Sequence, residues 1–213
     1  LPMSAQGAGA RRPIKLGVLI SGSGTNLQAI IDRIAAGALD ATIEMVISSR
    51  PSAYGLKRAE DAGIQTMTLS KEIYADPIQA DEVIATALRV RGVDYVIMAG
   101  YMRMVHAPIL RAFENHVVNL HPALLPSFKG AHAIQDAFDA GVKVTGVTVH
   151  FANAEYDKGP IIAQRAVVVA EGDTVDALEA KIHAVEHELY PETLALIASG
   201  RVSVGEDRKV HVA

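Results

Sequence analysis

The sequence predicts an α/β protein with an open, mostly parallel twisted sheet, helices on both faces, and antiparallel strands in its C-terminal part. From residue 14 to residue 120, apolar runs of strand length alternate with segments of helical periodicity. This alternation is typical of βαβ units joined by right-handed crossovers. The last two β-rich runs are separated only by residues 153–160, which is too short for a helical crossover, so they should pair antiparallel.

Buried strands are predicted where a short apolar run is bounded by turn residues. The first runs from Ile14 to Ile20 and ends in Ser21-Gly22. The others span residues 43–47, 65–69, 94–99, 117–120, 144–152 and 161–169. In an open parallel sheet the polar residues that follow such strands gather in a crevice at the carboxyl edge, where ligands bind.

Helices are predicted where apolar residues recur at steps of three and four. They span residues 26–36, 51–62, 81–90, 132–140 and 174–199. Pro51 suits the first turn of the second helix, and Pro191 should kink the last one. A glycine follows each helix, and residues 201–213 are predicted to form a small hairpin.

The composition favours one domain and excludes several classes of protein. The chain has 213 residues, half of them hydrophobic, so we expect a single core over residues 14–213 after a disordered leader, residues 1–13. A net charge of −4 gives no basic surface for nucleic acid, and there is no cysteine for disulfides or thiolate metal sites. No apolar run approaches the roughly 18–20 residues of a membrane helix. We therefore expect no nucleic-acid or membrane partner and a cytoplasmic location.

A glycine turn, residues 21–26 (Ser-Gly-Ser-Gly-Thr-Asn), lies between the first strand and the first helix. Its glycines let backbone N–H groups approach an anion, the helix N-terminus adds partial positive charge, and Thr25 and Asn26 add donors. This chemistry fits a phosphate. Leu27 stands where a dinucleotide fingerprint has its third glycine, and no Gly-Lys-Ser/Thr follows, so neither nucleotide loop is indicated. A tight βα turn without a ligand remains the alternative.

A polar pair, Asn119 and His121, closes the fifth strand. Side chains two apart on a strand point the same way, so this amide and this imidazole should lie side by side. The amide can donate to a developing oxyanion, and the imidazole can move a proton near neutral pH. Pro122 and Pro126 then stiffen the exit from the strand.

A third catalytic partner is predicted in the loop of residues 153–160. Asp157 precedes Lys-Gly-Pro, a turn sequence, and a carboxylate near His121 would orient the ring and stabilise its charged form. His150 is a second-tier candidate; for both histidines a purely structural role is the alternative. No Gly-x-Ser-x-Gly and no cysteine supplies a nucleophile. Direct acyl transfer between two bound substrates or an amide hydrolysis remains.

One string resembles a zinc motif, His-x-x-Glu-His from His183 to His187. Two histidines four apart on a helix share a face, but catalytic zinc usually needs three protein ligands. The acids after His187 lie on no second helix that would fold back, so we expect no metal. A solvated or ligand-facing helix flank is favoured, with His183 a second-tier site residue.

Five segments together carry a resemblance that none carries alone. They are Val18–Ile31, Ala99–Met104, Asn119–Pro126, Thr148–Phe151 and Asp157–Ile162. From residue 14 to about residue 203 the chain closely resembles the phosphoribosylglycinamide formyltransferases, the folate-dependent transformylases of purine synthesis. The resemblance implies a Rossmann-like formyltransferase fold. It implies that 10-formyltetrahydrofolate gives its formyl group to the amine of 5-phosphoribosylglycinamide, in de novo purine (IMP) synthesis.

The resemblance also implies catalytic roles at matched positions. Asn119 would hydrogen-bond the formyl oxygen as it becomes an oxyanion. His121 would help to stabilise that charge and manage protons. Asp157 would position His121 and an ordered water that relays a proton from the attacking amine towards the folate nitrogen.

Both substrate sites follow from the same matches. Residues 14–113 would form the phosphate-binding half of the domain, and residues 114–213 would form its folate-binding and catalytic half. The glycinamide ribonucleotide would bind at Gly24, Thr25, Asn26 and, through its ribose hydroxyls, Glu186. The folate would bind at Met102, Arg103, Met104, Val105, Asn153, Ala154, Glu155 and Tyr156. Only small molecules are implied as partners, and a homodimer is compatible with the sequence.

The chain departs from some relatives, and rival readings stay open. Pro77 stands where some members carry an Arg near the folate, His183 replaces a glutamine, and Lys158 replaces a common glycine. Methionyl-tRNA formyltransferase shares the Asn-x-His-Pro segment but normally adds a basic C-terminal domain, for which we expect no counterpart here. Formyltetrahydrofolate deformylase tends to have His-His at residues 121–122. A non-catalytic phosphoribosyl-binding module is the last alternative.

Overall fold

The computed structural model describes residues 11–213, so most of the predicted leader, residues 1–13, lies outside the described residues. Of its last residues, Arg12 makes a bidentate pair with the carboxylate of Asp94 at 2.8 and 2.9 Å. Asp94 also accepts the backbone N–H of Lys15 at 2.8 Å. Arg12 is therefore attached to the start of the fourth strand.

Two sheets form within residues 11–213. The strands are Ile14–Ile20 (β1), Ala41–Ser48 (β2), Thr66–Thr68 (β3), Tyr95–Met98 (β4), Val117–His121 (β5), Val144–Phe151 (β6), Ile161–Val168 (β7), Val202–Val204 (β8) and Val210–Val212 (β9). The large sheet has the order β3-β2-β1-β4-β5-β6-β7, and β8 and β9 form the predicted hairpin. β1 to β5 are parallel, whereas β6 and β7 are antiparallel to their neighbours. The predicted fold class is confirmed.

The helices are Thr25–Ala35 (α1), Tyr54–Asp61 (α2), Pro77–Val90 (α3), Ala107–Ala112 (α4), Ala133–Asp139 (α5) and Val175–Ala198 (α6). Three predictions need correction. α2 begins at Tyr54, because residues 51–52 form a turn before it. α3 begins at Pro77, where the Asp76 carboxylate accepts the Gln79 N–H at 3.1 Å; this first turn is exposed and carries no apolar periodicity. α4 was not predicted, because six residues are too few to show a period.

Two hydrophobic cores lie on opposite faces of the sheet. On one face Leu16, Val18 and Ile20 of β1 pack with buried residues of α1 and α6. On the other face Leu19 packs with buried residues of α3, among them Leu88. β1 therefore buries both its faces, as expected of a central strand in a doubly covered parallel sheet.

The strand order reverses between β1 and β4. The chain builds outward from β1 to β3 and then returns through α3 to β4, on the other side of β1. Such a reversal opens a crevice at the carboxyl ends of the two strands, where ligands bind in open α/β sheets. The hydroxyl of Tyr190 on α6 lies 2.8 Å from the Met98 carbonyl and 3.0 Å from that of Val118. It thus ties the carboxyl end of β4 and the start of β5 to α6.

Within residues 11–213, no helix is both long enough and apolar enough to pass through a bilayer.

Candidate active site

The predicted polar pair closes β5, and its side chains point to the α3 face of the sheet. Val117, two residues before Asn119, packs in the α3 core, whereas Val118 packs in the other one. By strand alternation Asn119 and His121 share the face of Val117. α3 and α4 pack against each other on this face, and loops rather than a helix follow β5 there. The pair therefore lies on the same side of the sheet as α3 and α4.

The exit from β5 is held by side chains from the neighbouring strands. The Thr148 hydroxyl donates to the Ala123 carbonyl at 2.7 Å and accepts the Leu125 N–H at 3.1 Å. Gln164 on β7 donates to the Leu125 carbonyl at 2.9 Å. These bonds satisfy the buried backbone polar groups of a segment that has left the sheet, so the prolines are not the only source of stiffness.

The His121 ring is buried between two defined partners. Its Nε2 lies 2.7 Å from the Phe128 carbonyl oxygen, and its Nδ1 lies 3.7 Å from Oδ2 of Asp157. A carbonyl oxygen only accepts, so Nε2 carries a proton. Nδ1 is the nitrogen that faces the carboxylate, and protonation there places a cation beside Asp157.

The position of Asp157 beside His121 depends on the course of loop 152–160 and not only on where the strands end. Because β6 is antiparallel to β5, Phe151 pairs with Val118, and loop 152–160 starts beside the beginning of β5. The loop then turns back. Asp157 adopts a left-handed φ of 55°, its side chain is buried, and its Oδ2 accepts the Gly130 N–H at 2.9 Å.

Gly159 allows this return. The chain there passes so close to β6 that a Cβ on residue 159 would lie 1.5 Å from the Phe151 carbonyl oxygen. The Phe151 N–H meanwhile donates to the Pro160 carbonyl at 2.9 Å. Only glycine fits this contact, which is the physical reason for the turn sequence after Asp157.

His150 pairs with Asn119 across β5 and β6 and lies on the same face of the sheet. Its Nδ1 lies 3.1 Å from the Phe151 carbonyl, to which it donates, and its buried Nε2 has no partner in the described part of the chain. Burial lowers the pKa of His150, although its bond to Phe151 and the charge of Asp157 oppose the shift. His150 thus places a buried ring nitrogen on the same face of the sheet as Asn119.

The glycine turn is braced by α2. Gly24 precedes α1 with a φ of 74°, and a Cβ there would lie 2.6 Å from Cα of Gly55. The Gly55 N–H donates to the Gly22 carbonyl at 3.0 Å. Arg58 donates to the Ser23 carbonyl at 2.8 Å, which brings a guanidinium to the turn that its sequence pattern did not predict.

The His-x-x-Glu-His string faces the glycine turn through Glu186. Asn26 donates to Oε2 of the buried Glu186 at 3.1 Å, and Nδ1 of His183 lies 3.3 Å from the same oxygen. The bond to Glu186 raises the pKa of His183 to about 9, although partial burial opposes it, and Glu179 adds a weaker contribution. Nε2 of His187 is buried without a partner among residues 11–213. Nowhere in those residues do three or more His, Cys, Asp or Glu side chains converge to hold a metal ion.

The two segments predicted for the second substrate both adjoin the α3 core, through Val105 and Ala152. Residues 102–105 follow β4, and Ala152, at the start of the other loop, packs against the α3 core. Three large apolar side chains of these segments are exposed to solvent: Met102 is 70 % exposed, Met104 57 % and Tyr156 56 %. Large apolar side chains left exposed in this way are typical of an interaction or ligand surface when they lie together.

The model of the formyl transferase family (Formyl_trans_N) matches residues 14–194.

The chain belongs to the formyl transferase family.

This formyl transferase is 37 % identical over 180 residues to phosphoribosylglycinamide formyltransferase of Bacillus subtilis, covering 84 % of this chain and 92 % of that protein. Glycinamide ribonucleotide transformylase 1 of Symbiobacterium toebii has a similar structure, with a TM-score of 0.90, 48 % identity and 94 % of each chain covered. Trifunctional purine biosynthetic protein adenosine-3 of Homo sapiens is 41 % identical over 200 residues, which is 94 % of this chain. The chain spans only 20 % of the length of that human protein.

Sequence reasoning missed several side chains around the site of this formyl transferase. Arg58 and Thr148 brace the glycine turn and the β5 exit. Ser21 and Asp81 are buried and accept backbone N–H groups near residues 102–106. Their hydrogen-bond partners are distant in the chain, so no spacing pattern predicts these contacts. The one available signal was Asp81, a carboxylate on the apolar face of α3.

Proposed function

We propose that this chain is a phosphoribosylglycinamide formyltransferase. It transfers the formyl group of 10-formyltetrahydrofolate to the amine of 5-phosphoribosylglycinamide and releases tetrahydrofolate. The observation that carries the proposal is the meeting of His121 and Asp157, 3.7 Å apart, beside Asn119 at the end of a central strand. The absence of cysteine and of a serine elbow from the sequence supports direct transfer.

The nucleotide substrate would bind between the glycine turn and α6. The phosphate would bind at Gly24, Thr25 and Asn26, with backbone N–H groups at the start of α1 and the nearby charge of Arg58. Glu186 would accept from the ribose hydroxyls. The bond from Asn26 to Glu186 at 3.1 Å supports this arrangement, because one hydrogen-bonded pair then serves both parts of the nucleotide.

The chemistry would proceed by addition and elimination at the formyl carbon. The substrate amine forms a C–N bond to that carbon, and its oxygen becomes an oxyanion to which the Asn119 amide donates. Collapse breaks the bond from the formyl carbon to the folate nitrogen. The proton lost by the amine passes through a water held by Asp157 to the departing nitrogen, while a protonated His121 beside Asp157 stabilises the negative charge.

The folate would bind across residues 102–105, the folate segment, and residues 153–156. Exposed Met102, Met104 and Tyr156 offer apolar surface to a flat ring system. Pro77 offers no cation, so the acidic tail of the folate must be held differently from relatives that carry Arg there. No metal takes part in this scheme. A cytoplasmic location and a homodimer remain predictions from the sequence.

One assay tests the function against its rivals. The protein is given 10-formyltetrahydrofolate with and without glycinamide ribonucleotide, and both formate and formylglycinamide ribonucleotide are measured. We expect the formylated nucleotide as the product. Formate released without that product would indicate a deformylase, and tight binding of both substrates without conversion would indicate a binding module.

A further inference from the structure

The folate segment is held at both ends by two buried side chains, Ser21 of the glycine turn and Asp81 of α3. At its start, the Met102 N–H donates to Oγ of Ser21 at 2.8 Å. Just beyond its end, the His106 N–H donates to Oδ2 of Asp81. Between these two bonds Met102 and Met104 are largely exposed, so the middle of the segment has little packing of its own.

Ser21 connects the segment to the other substrate site. It is 2 % exposed, directly follows β1, and is the first residue of the glycine turn. Its Oγ lies 2.5 Å from Oγ of Ser49, which follows β2. A single hydroxyl therefore joins the ends of two strands to the N–H of Met102.

Asp81 fixes the other end from α3. Its side chain is 2 % exposed, on the face of the helix that buries Ile84 and Leu88. Nδ1 of His106 also lies 3.4 Å from its Oδ2. Burial raises the pKa of Asp81, and the contacts with His106 act against that shift. An isolated buried carboxylate is costly, so its placement under the segment calls for a role that a hydrophobic residue would not fill.

Side chains next to the two anchors make further contacts. The hydroxyl groups of Tyr74 and Tyr101 are 2.8 Å apart. The Arg103 guanidinium lies over the Tyr74 ring, 4.2 Å from its centroid. Arg103 is thus turned towards the protein, whereas Met102 and Met104 remain exposed.

We propose that Asp81 and Ser21 are positioning residues that hold the folate segment ready for the folate, an inference that rests on the function proposed above. Neither touches the substrate. By fixing the two backbone ends they order the exposed middle before binding, so the folate does not bear the entropy cost of ordering it. The nucleotide site, built from the glycine turn and α6, does not depend on Asp81.

The test compares Asp81→Ala with Asp81→Asn, which keeps one oxygen to accept the His106 N–H. Leu88→Ala on the same helix is the control for general destabilisation, since Leu88 is buried on α3 about two turns beyond Asp81 and offers no hydrogen-bond acceptor. Tetrahydrofolate and glycinamide ribonucleotide binding are measured by calorimetry, with kcat and KM for both substrates.

We expect Asp81→Ala to weaken tetrahydrofolate binding and raise the folate KM about 10-fold, while nucleotide affinity stays within about 2-fold. Asp81→Asn should restore most of the loss.

Three results would overturn the inference: unchanged folate affinity in Asp81→Ala, equal losses for both ligands, or the same folate loss in Leu88→Ala. If Asp81→Ala does not fold, Ser21→Ala decides, because it removes only one oxygen, and unchanged folate binding there would refute the proposal. A wild-type protein that binds no folate would defeat the proposed function and this inference together. A wild-type protein that transfers formyl while the variants bind folate normally would defeat the inference alone.

Discussion

Nδ1 of His121 lies 3.7 Å from Oδ2 of Asp157, and both side chains are buried at the end of β5. His121 is the last residue of β5, whereas Asp157 lies in the loop after β6, which starts beside the beginning of β5. Their meeting places an imidazole with a protonated Nε2 next to a carboxylate that also accepts a backbone N–H from Gly130. Burial strengthens the electrostatic interaction between the imidazole and the carboxylate, because the surrounding dielectric is low.

This pair should be needed for turnover and not for nucleotide binding. His121→Ala and Asp157→Asn are each expected to lower kcat by about 10³-fold or more, since each removes transition-state charge stabilisation or proton transfer. Glycinamide ribonucleotide should still bind, as measured by calorimetry. His116→Ala is the control, because this exposed ring lies outside the pair and contacts Tyr95 and the Glu114 carbonyl instead. Turnover near normal in either site variant would refute the assigned roles.

Glu186→Gln should weaken the nucleotide site alone. Loss of the carboxylate removes the charged acceptor that bonds Asn26 and His183, so we expect the KM for glycinamide ribonucleotide to rise about 10-fold. The folate KM should not change. Glu188→Gln on the same helix is the matched control, because the side chain of Glu188 is 69 % exposed and pairs only loosely with Arg165. Equal effects in both variants would argue against a ribose contact at Glu186.

Gly24→Ala should destabilise the fold more than Gly37→Ala. Both glycines have a φ of 74°, but a Cβ on Gly24 would lie 2.6 Å from Gly55, whereas nothing lies within 4 Å of one on Gly37. Gly37→Ala should therefore cost about 1 kcal/mol for the left-handed backbone alone. Gly24→Ala adds the clash, and should exceed that cost by about 1–3 kcal/mol. Urea unfolding of the two variants measures the difference, and equal costs would contradict the close packing of α2 on the turn.

The His183–Glu186 contact predicts a pH-dependent term in stability. The pKa of His183 in the folded chain is about 9, above its ordinary 6.5. The folded state thus binds the proton more tightly, and the stabilisation is complete below about pH 6.5 and lost as the pH rises through 9. Because this side chain is 47 % exposed, solvent screening limits the term to about 1 kcal/mol or less.

Comparison with His183→Gln isolates that term, because the other titrations cancel in the difference. Urea unfolding at pH 6, 7.5 and 9.5 should show a wild-type advantage that shrinks as the pH rises. An advantage that grows with pH would mean that His183 is neutral in the folded protein.

Activity should survive removal of metal ions. His183 and His187 do not converge on a third ligand among residues 11–213, and His183 is bonded to carboxylates instead. We expect full formyl transfer after dialysis against a chelator, assayed in chelator-treated buffer. Activity that disappears and returns with zinc would revive the metal-centre interpretation of the His-x-x-Glu-His string.

Local patterns were enough to predict most elements. An apolar run such as residues 14–20 buries both of its faces and so predicts a central strand. The apolar residues that recur at steps of three and four from Val175 onward predict α6, which continues past Pro191. The pattern failed where an element shows no period. The first turn of α3 starts from the Asp76 cap and is exposed, and α4 spans only Ala107–Ala112.

By itself the sequence determined the fold class, the glycine turn after β1 and the polar pair Asn119 and His121, because each depends on residues that are neighbours along the chain. Only the tertiary structure decided how Asp157 reaches His121, since the antiparallel β6 releases its loop beside the start of β5 and the loop must return through Gly159. It also decided that Arg58 joins the glycine turn and that Ser21 and Asp81 anchor the folate segment. These contacts join residues far apart in the chain. Strand pairing and loop path bring them together, and no local spacing encodes either.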